Sequence, residues 1–341
     1  MTNSRALTAR KTIQIGMRLP TSNDPTLPLE ADYQLGNIVP DFPTVNNSFE
    51  ESGDYSGTFD AIGDVAKIDG YGEQTLVFER LTFANMVVLA EIWARAGAAG
   101  VGDPPVWTTN SSSTSDGAVV FTEVGVPLGN AGTQFVLTLQ EAVAASFELT
   151  GSSDAAYLTG TLNLRGNEPS KIATLSATST PSPVPDPEKI KHSWVQLFID
   201  DTEIGIGTTE IECTRLDFTL TIDNNVDTVQ VDCGPLTGRG LRYAQLELNL
   251  VLNTESAAEY VDYLAETTRF VRLKATSPVT SQYWQFDFVG KFQSYSPGTA
   301  GAFESMTLMA KSQLSTVWGY SWQQKCQVDD LTSIPYYTTI P

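Results

Sequence analysis

The sequence predicts a mainly β protein: two tandem antiparallel β-sandwich or barrel domains, each flanked by one α-helix. Three observations carry this. Short alternating runs rich in Val, Ile, Thr, Phe and Tyr recur along the chain, separated by Gly, Asn, Ser and Pro. Only two stretches have helical spacing, and strands do not alternate with helices, which excludes a nucleotide-binding parallel sheet. A proline-rich segment, 178–187, divides the 341 residues near their midpoint. Its four prolines in seven residues are expected neither to pair in a sheet nor to enter a helix, so it reads as a stiff linker.

In the first half a strand is expected at 12–18. A long irregular region, 19–72, follows, with five prolines and the turn pair Asn46-Asn47. An alternating strand, 74–81, runs into a helix, 82–96. Thr82 suits its N-cap and Gly97 its C-terminal stop, with Met86, Leu89, Ala90, Trp93 and Ala96 on the apolar face. Strands follow at 118–123, 134–139, 143–149, 156–165 and 171–176.

The second half starts with a strand at 193–200. The run 209–222 alternates but changes phase at Thr214-Arg215, the signature of a β-bulge. Asp223-Asn224-Asn225 is turn chemistry. A strand at 228–232, a loop at 234–240 and a strong strand at 243–252 follow. A helix is predicted over 253–267, with Asn253 as N-cap and Ala257, Tyr260, Val261 and Leu264 on one face. Strands at 270–275, 283–292, 303–311 and 316–325 complete this half, with turn chemistry at 296–301. The order "strand, one helix, several strands" thus occurs twice. The chain divides into a first β domain (1–178), a linker (179–191), a second β domain (192–326) and a C-terminal arm (327–341).

With 20 basic and 40 acidic residues the net charge is −20. The acidity is spread, with 9 basic and 20 acidic residues before position 181 and 11 and 20 after it. Such a surface does not grip DNA or anionic membrane, which require clustered Lys and Arg. Cys213, Cys233 and Cys326 fit no zinc spacing and no disulfide framework. They read as buried thiols, although Cys213 and Cys233 flank the Asp223 turn and could approach each other across a hairpin. The N-terminus has no apolar core of a signal peptide, and the longest strongly apolar run, 86–90, is far too short to span a bilayer. A soluble chain made in the cytoplasm is expected.

No nucleophile elbow, phosphate loop, dinucleotide fingerprint or zinc-protease motif occurs. His192 is the one histidine. It could act as a general base, but a partly exposed residue at the start of a strand is the better reading. Asp200-Asp201 and Asp329-Asp330 are adjacent, so in a strand their side chains face opposite ways and form no catalytic dyad. Asp60, Asp64 and Asp69 miss the calcium-loop spacing. Trp284, Phe286 and Phe288 fall on one strand face, as do Trp318, Tyr320 and Trp322. Each set suits a sheet core or a subunit interface, with a sugar-stacking platform as the alternative. No catalytic residue, cofactor or metal is expected.

The run Leu216-Asp-Phe-Thr-Leu-Thr-Ile-Asp-Asn-Asn-Val226, the loop Gly238-Arg239-Gly240, and the strand and helix after it resemble tail tube proteins of long-tailed bacteriophages. The resemblance covers about 193–325 by element order, and Asp41-Phe-Pro-Thr-Val-Asn-Asn47 echoes the turn in the first half. It implies a structural virion subunit, made in the host cytoplasm and built into the tail, with β-sandwich domains whose inner strands close a ring of six domains. Two domains in one chain imply a trimeric ring with pseudo-sixfold symmetry, stacked into a tube through which DNA passes unheld. Tape-measure and tail-end proteins are the implied partners. The implied subunit and inter-ring contacts lie at Asp223, Asn224, Asn225, Arg239, Phe42, Asn46, Asn47, Tyr336 and Tyr337. The alternatives are another tail, baseplate or capsid-decoration protein, or a carbohydrate-binding sandwich.

Overall fold

The computed structural model describes residues 12–18, 33–34, 38–39, 41–51, 65–94, 101–102, 104–112, 119–128, 134–172, 175, 182–183, 188–208, 215–231 and 234–329. Strands dominate and the sheets are almost wholly antiparallel, as the alternating pattern requires.

The centre is a broad sheet with the strand order β4 (Thr44–Glu51), β5 (Val65–Phe78), β9 (Thr159–Gly166), β8 (Gln134–Ser152), β13 (Arg215–Asp223), β16 (Tyr243–Val251), β19 (Phe303–Ser312) and β18 (Tyr283–Ala300). Its middle joint, β8 with β13, fuses the two halves of the chain. β8 and β18 are long because each serves two sheets. The first part of β8 pairs with β7 (Val119–Pro127) and β10 (Ser170–Ile172), and β7 pairs with β1 (Thr12–Arg18). The first part of β18 pairs with β17 (Arg269–Thr276) and β20 (Trp322–Gln327), and β17 pairs with β12 (Val195–Asp200).

These pairings recur. Replacing β1, β4, β5, β7, β8, β9 and β10 by β12, β13, β16, β17, β18, β19 and β20 reproduces each contact of the first set in the second. Both long strands even carry their bulge at the same place, with Ala145 skipped opposite β9 and Gln293 skipped opposite β19. The helices, α1 (Phe83–Ala94) and α2 (Thr254–Leu264), occupy matching positions after β5 and β16. One continuous apolar core nevertheless runs through both halves.

Several local expectations change. The region 19–72 is not an irregular loop: β2 (Tyr33–Gln34), β3 (Ile38–Val39), β4 and the start of β5 lie in it, and β4 and β5 pair side by side. Its glycines and Asn pair disguised the alternation. The linker does enter a sheet, because β11 (Ser182–Pro183) pairs parallel with β2 at an edge, where proline is tolerated. The residues 134–139 and 143–149 belong to the single strand β8, which an irregularity at Glu141 (φ 50°) bends without breaking. The predicted loop 234–240 is largely a strand, β15 (Gly234–Arg239), in a hairpin with β14 (Val226–Val231). The turn expected at 296–301 is mostly the end of β18, and the chain reverses at Gly301. Residues 316–321 are turns, not strand, so Trp318 and Tyr320 do not share a strand face with Trp322. β6 (Val106–Asn110), which pairs with β20, was not foreseen. The predicted bulge in β13 falls at Leu216, one residue past the expected place.

The helices differ in a way their patterns hid. α1 is buried all round, Asn85 and Glu91 included, since it packs on β8 on one side and β20 and β6 on the other. Thr82 caps it through Asn85 N–H at 3.0 Å. α2 has the expected Asn253 cap, completed by Ser256 in a reciprocal box. Of the face predicted to pack, Tyr260 does so, against Tyr295 at 4.5 Å, but Ala257, Val261 and Leu264 are turned outward, the last two more than half exposed. Ser256 and Glu259 are the buried positions. Arg269 of β17 grips Glu259 at 2.7 and 3.0 Å, and this ion pair sets the helix's rotation.

Candidate functional site

Three of the residues expected to make contacts, Asp223, Asn224 and Asn225, lie at the β8–β13 joint. β13 pairs with β8 from Asp217↔Ser152 to Asp223↔Ser146. At its end the backbone turns through Asn225, which takes φ 46° and donates its N–H to Asp223 Oδ1 at 2.7 Å. The other carboxylate oxygen of Asp223 accepts from Tyr243 Oη at 2.9 Å, a bond that raises the phenol's pKa. Asn225 itself donates to Leu241 O at 2.8 Å.

Asn224 is the clasp. It is 1% exposed, and its N–H donates to Ala145 O at 2.9 Å. Its carboxamide donates to Ala144 O at 2.9 Å and to Trp93 O, at the end of α1, at 3.1 Å. One side chain thus ties the second half's turn to both the strand bulge and the helix of the first. Across the same joint Gly151 faces Phe218 so closely that a β-carbon would lie 2.2 Å from the ring.

The other predicted residues lie elsewhere. Arg239 ends β15 opposite Val226, in the hairpin that follows this turn. Phe42, Asn46 and Asn47 lie at the opposite end of the central sheet, about β4. Phe42 packs edge-on against Phe135 at 5.5 Å, and Asn46 donates to Glu73 Oε2 at 2.6 Å. Tyr336 and Tyr337 lie outside the described residues.

A feature that the sequence reading missed is the open face of the central sheet. Its core face is apolar, and its other face carries rows of polar side chains running across both halves. One row reads Thr161, Glu148, Thr221, Gln245 and Lys311, with the exposed Val77 at its first-half end. The carboxylates here are Glu73, Glu148, Asp217, Asp223 and Glu247. Among the described residues the cations here are Arg165, Lys311 and, opposite Lys311, Lys291; Arg165 pairs with Glu73 at 2.8 Å and covers the Tyr71 ring, and Lys311 lies 4.0 Å from the Tyr243 ring centre. Burial opposes ionisation of Asp217, but hydrogen bonds from Ser153 N–H, Ser152 and Asn249 outweigh it and hold the carboxyl below its usual range. The signal was in the Thr-rich outward positions of 217–223 and 159–163, legible only once the strands are set side by side.

The remaining candidates for chemistry are structural. His192 lies in a short turn before β12, 9% exposed, and stacks on Phe218. Burial, helped by Arg215, lowers its pKa to about 4, so it is more enclosed than its sequence position suggested. Asp200 ends β12 and accepts from Thr202 N–H at 2.9 Å, a turn contact that lowers its pKa. Trp284, Phe286, Phe288 and Trp322 are at most 1% exposed and form core, so they offer no platform to a sugar. Cys326 is buried with Sγ 3.4 Å from Phe83 O; Cys213 and Cys233 lie outside the described residues, as do Asp60, Asp64 and Asp330. Among the described residues no cluster could hold a metal ion, and no helix is long and apolar enough to cross a membrane.

No curated protein matches the chain. The family model described as "Phage tail tube protein" matches residues 32–304, from β2 to the start of β19 and thus across both halves. Its members are structural, non-enzymatic components of the virion tail. A mainly β chain whose two halves are joined into one sheet, matched over most of its length, belongs to the phage tail tube protein family.

Proposed function

We propose that the chain is the major tail tube subunit, formed of two tandem tube domains, and that three copies close a ring of six domains which stacks into a DNA-conducting tube. The observation that carries this is the central sheet. Its two four-stranded parts follow the same pairing scheme and are already joined edge to edge at β8–β13. Among the described residues an unpaired edge remains at each end, on β4 and on the second part of β18.

The open face supports its role as the inner wall. It is rich in Thr, Asn and Ser, its five carboxylates outnumber the cations Arg165, Lys291 and Lys311, and two of these cations are engaged by Glu73 and by aromatic rings. A wall with more carboxylates than available cations repels phosphate and does not hold it. The β14–β15 hairpin and the 327–341 arm are assigned to contacts between rings. The tape-measure and tail-end proteins are the partners at assembly.

Electron microscopy of the purified protein tests the reading. Rings or tubes with threefold symmetry and six similar lobes are expected. A protein that stays monomeric at high concentration would overturn it.

A further inference from the structure

The two halves align residue by residue, and that alignment places one end of the molecule on the other. Equating the bulges at Ala145 and Gln293 equates Asn163 with Met309, and through them Thr75 with Glu247. Tyr71 then falls on Tyr243 and Arg165 on Lys311. The side chains agree, since Arg165 lies 4.9 Å from the Tyr71 ring centre and Lys311 4.0 Å from that of Tyr243. In the same register Thr44-Val45-Asn46-Asn47 of β4 falls on Thr221-Ile222-Asp223-Asn224 of β13.

Within the chain the apolar residue of the second motif is seated and that of the first is not. Ile222 is fully buried, whereas its equivalent Val45 is 41% exposed. The seat of Asn224 is the pair Ala144-Ala145 together with the end of α1. The equivalent seat is Phe292-Gln293 with the end of α2. A cleft of about 460 Å³ opens there, lined by Tyr263, Leu264, Glu266, Lys291, Phe292 and Gln293. The first half's helix is covered by β20 and β6, while Val261 and Leu264 on α2 are 62% and 63% exposed.

We propose that residues 44–47 of a second copy add antiparallel to β18 opposite residues 293–296, with the Asn47 carboxamide seated in this cleft. This rests on the self-assembly proposed above and gives it an atomic register. Asn47 N–H donates to Gln293 O, as Asn224 N–H does to Ala145 O. Its carboxamide donates to Phe292 O and to a terminal carbonyl of α2. Val45 faces Tyr295, and Asn46 faces Ser294. The incoming first half covers Val261 and Leu264. Plug and socket lie at opposite ends of the central sheet, so the contact is head-to-tail and needs a partner at each end. One step beyond Thr44, Pro43 faces Pro297. Neither has an N–H, so pairing stops there, and both edges are blunted against indiscriminate strand addition.

Cysteine cross-linking tests the register in a chain carrying Cys213→Ser and Cys233→Ser. Asn46 and Ser294 form a non-hydrogen-bonded pair with Cα atoms about 4.5 Å apart, within disulfide reach. Oxidation of Asn46→Cys/Ser294→Cys is expected to give covalent oligomers that reductant dissolves. Asn46→Cys/Gly298→Cys, displaced by about 13 Å along the strand, gives none. Assembled rings in which only the displaced pair links, or neither does, would overturn the register and leave self-assembly standing. Absence of rings from the unsubstituted protein would defeat the underlying reading instead. Asn47→Ala is expected to keep the wild-type circular dichroism and melting temperature but to need at least tenfold more protein to assemble. Unchanged assembly would count equally against the proposal.

Discussion

Asn224 shows how much one side chain carries at the joint. Both of its carboxamide donor contacts are to buried carbonyls from the other half. Asn224→Ala strands those carbonyls, and a loss of about 2–3 kcal/mol is expected in urea unfolding. Its neighbour behaves differently: Asn225→Gly, at φ 46°, should change stability by less than about 1 kcal/mol, whereas Asn225→Val is strained there. His192 makes a pH prediction. Its folded pKa of about 4 lies below the unfolded value of 6.5, so the unfolded chain takes up the proton first. The stability is complete above pH 6.5 and declines as pH falls toward 4, by on the order of 2 kcal/mol. His192→Phe, which keeps the stack on Phe218, should flatten thermal stability across that window; an unaltered slope would assign the loss to other groups. The sequence marked Asp223-Asn224-Asn225 as a turn, but the clasp depends on Trp93 and Ala144, which lie far away in the chain and leave no local trace.

At the scale of elements, strands read well where alternation was regular and badly where it was interrupted. β13, β16, β17 and β19 lie close to their expected places because one face is core and the other open. β4 and the start of β5 were obscured by Gly70, Gly72 and the Asn pair, residues that weaken a strand locally but are held by eight cross-strand partners. α2 shows a second limit. Of its apolar stripe Tyr260 packs, but Val261 and Leu264 stay outside while Ser256 and Glu259, the latter paired with Arg269, are the buried positions. Burial raises the Glu259 pKa in spite of Arg269, so the carboxylate depends on that partner. Arg269→Ala should therefore cost about 3–5 kcal/mol, while Val261→Ala, on the exposed side, should cost less than about 0.5 kcal/mol in the monomer. Similar losses for the two would show that the ion pair does not hold the helix.

The whole molecule was legible as mainly β with a repeated order, and the tail tube resemblance matched the family found. The candidate surface was less so, because a sheet face made of Thr, Ser and Asn from eight strands has no motif in any one of them. Its proposed role makes a prediction at this scale. Glu148→Lys with Thr221→Lys adds cations at the centre of the open face, where the two side chains are cross-strand neighbours. Particles carrying both should assemble but eject DNA more slowly, with the delay relieved by salt. Ejection at the wild-type rate would remove this face from the wall of the conduit.

The fusion at β8–β13 has a further consequence for the integrity of the chain. The halves share a seven-residue register, a helix sunk between sheets of both, and the buried Trp93–Trp322 stack at 5.4 Å. The covalent link through 173–187 adds little to what already holds them. A protease that cuts there leaves a split protein: two fragments that co-purify, keep the native spectrum and part only in denaturant. Their melting temperature then rises with concentration, as for any bimolecular fold.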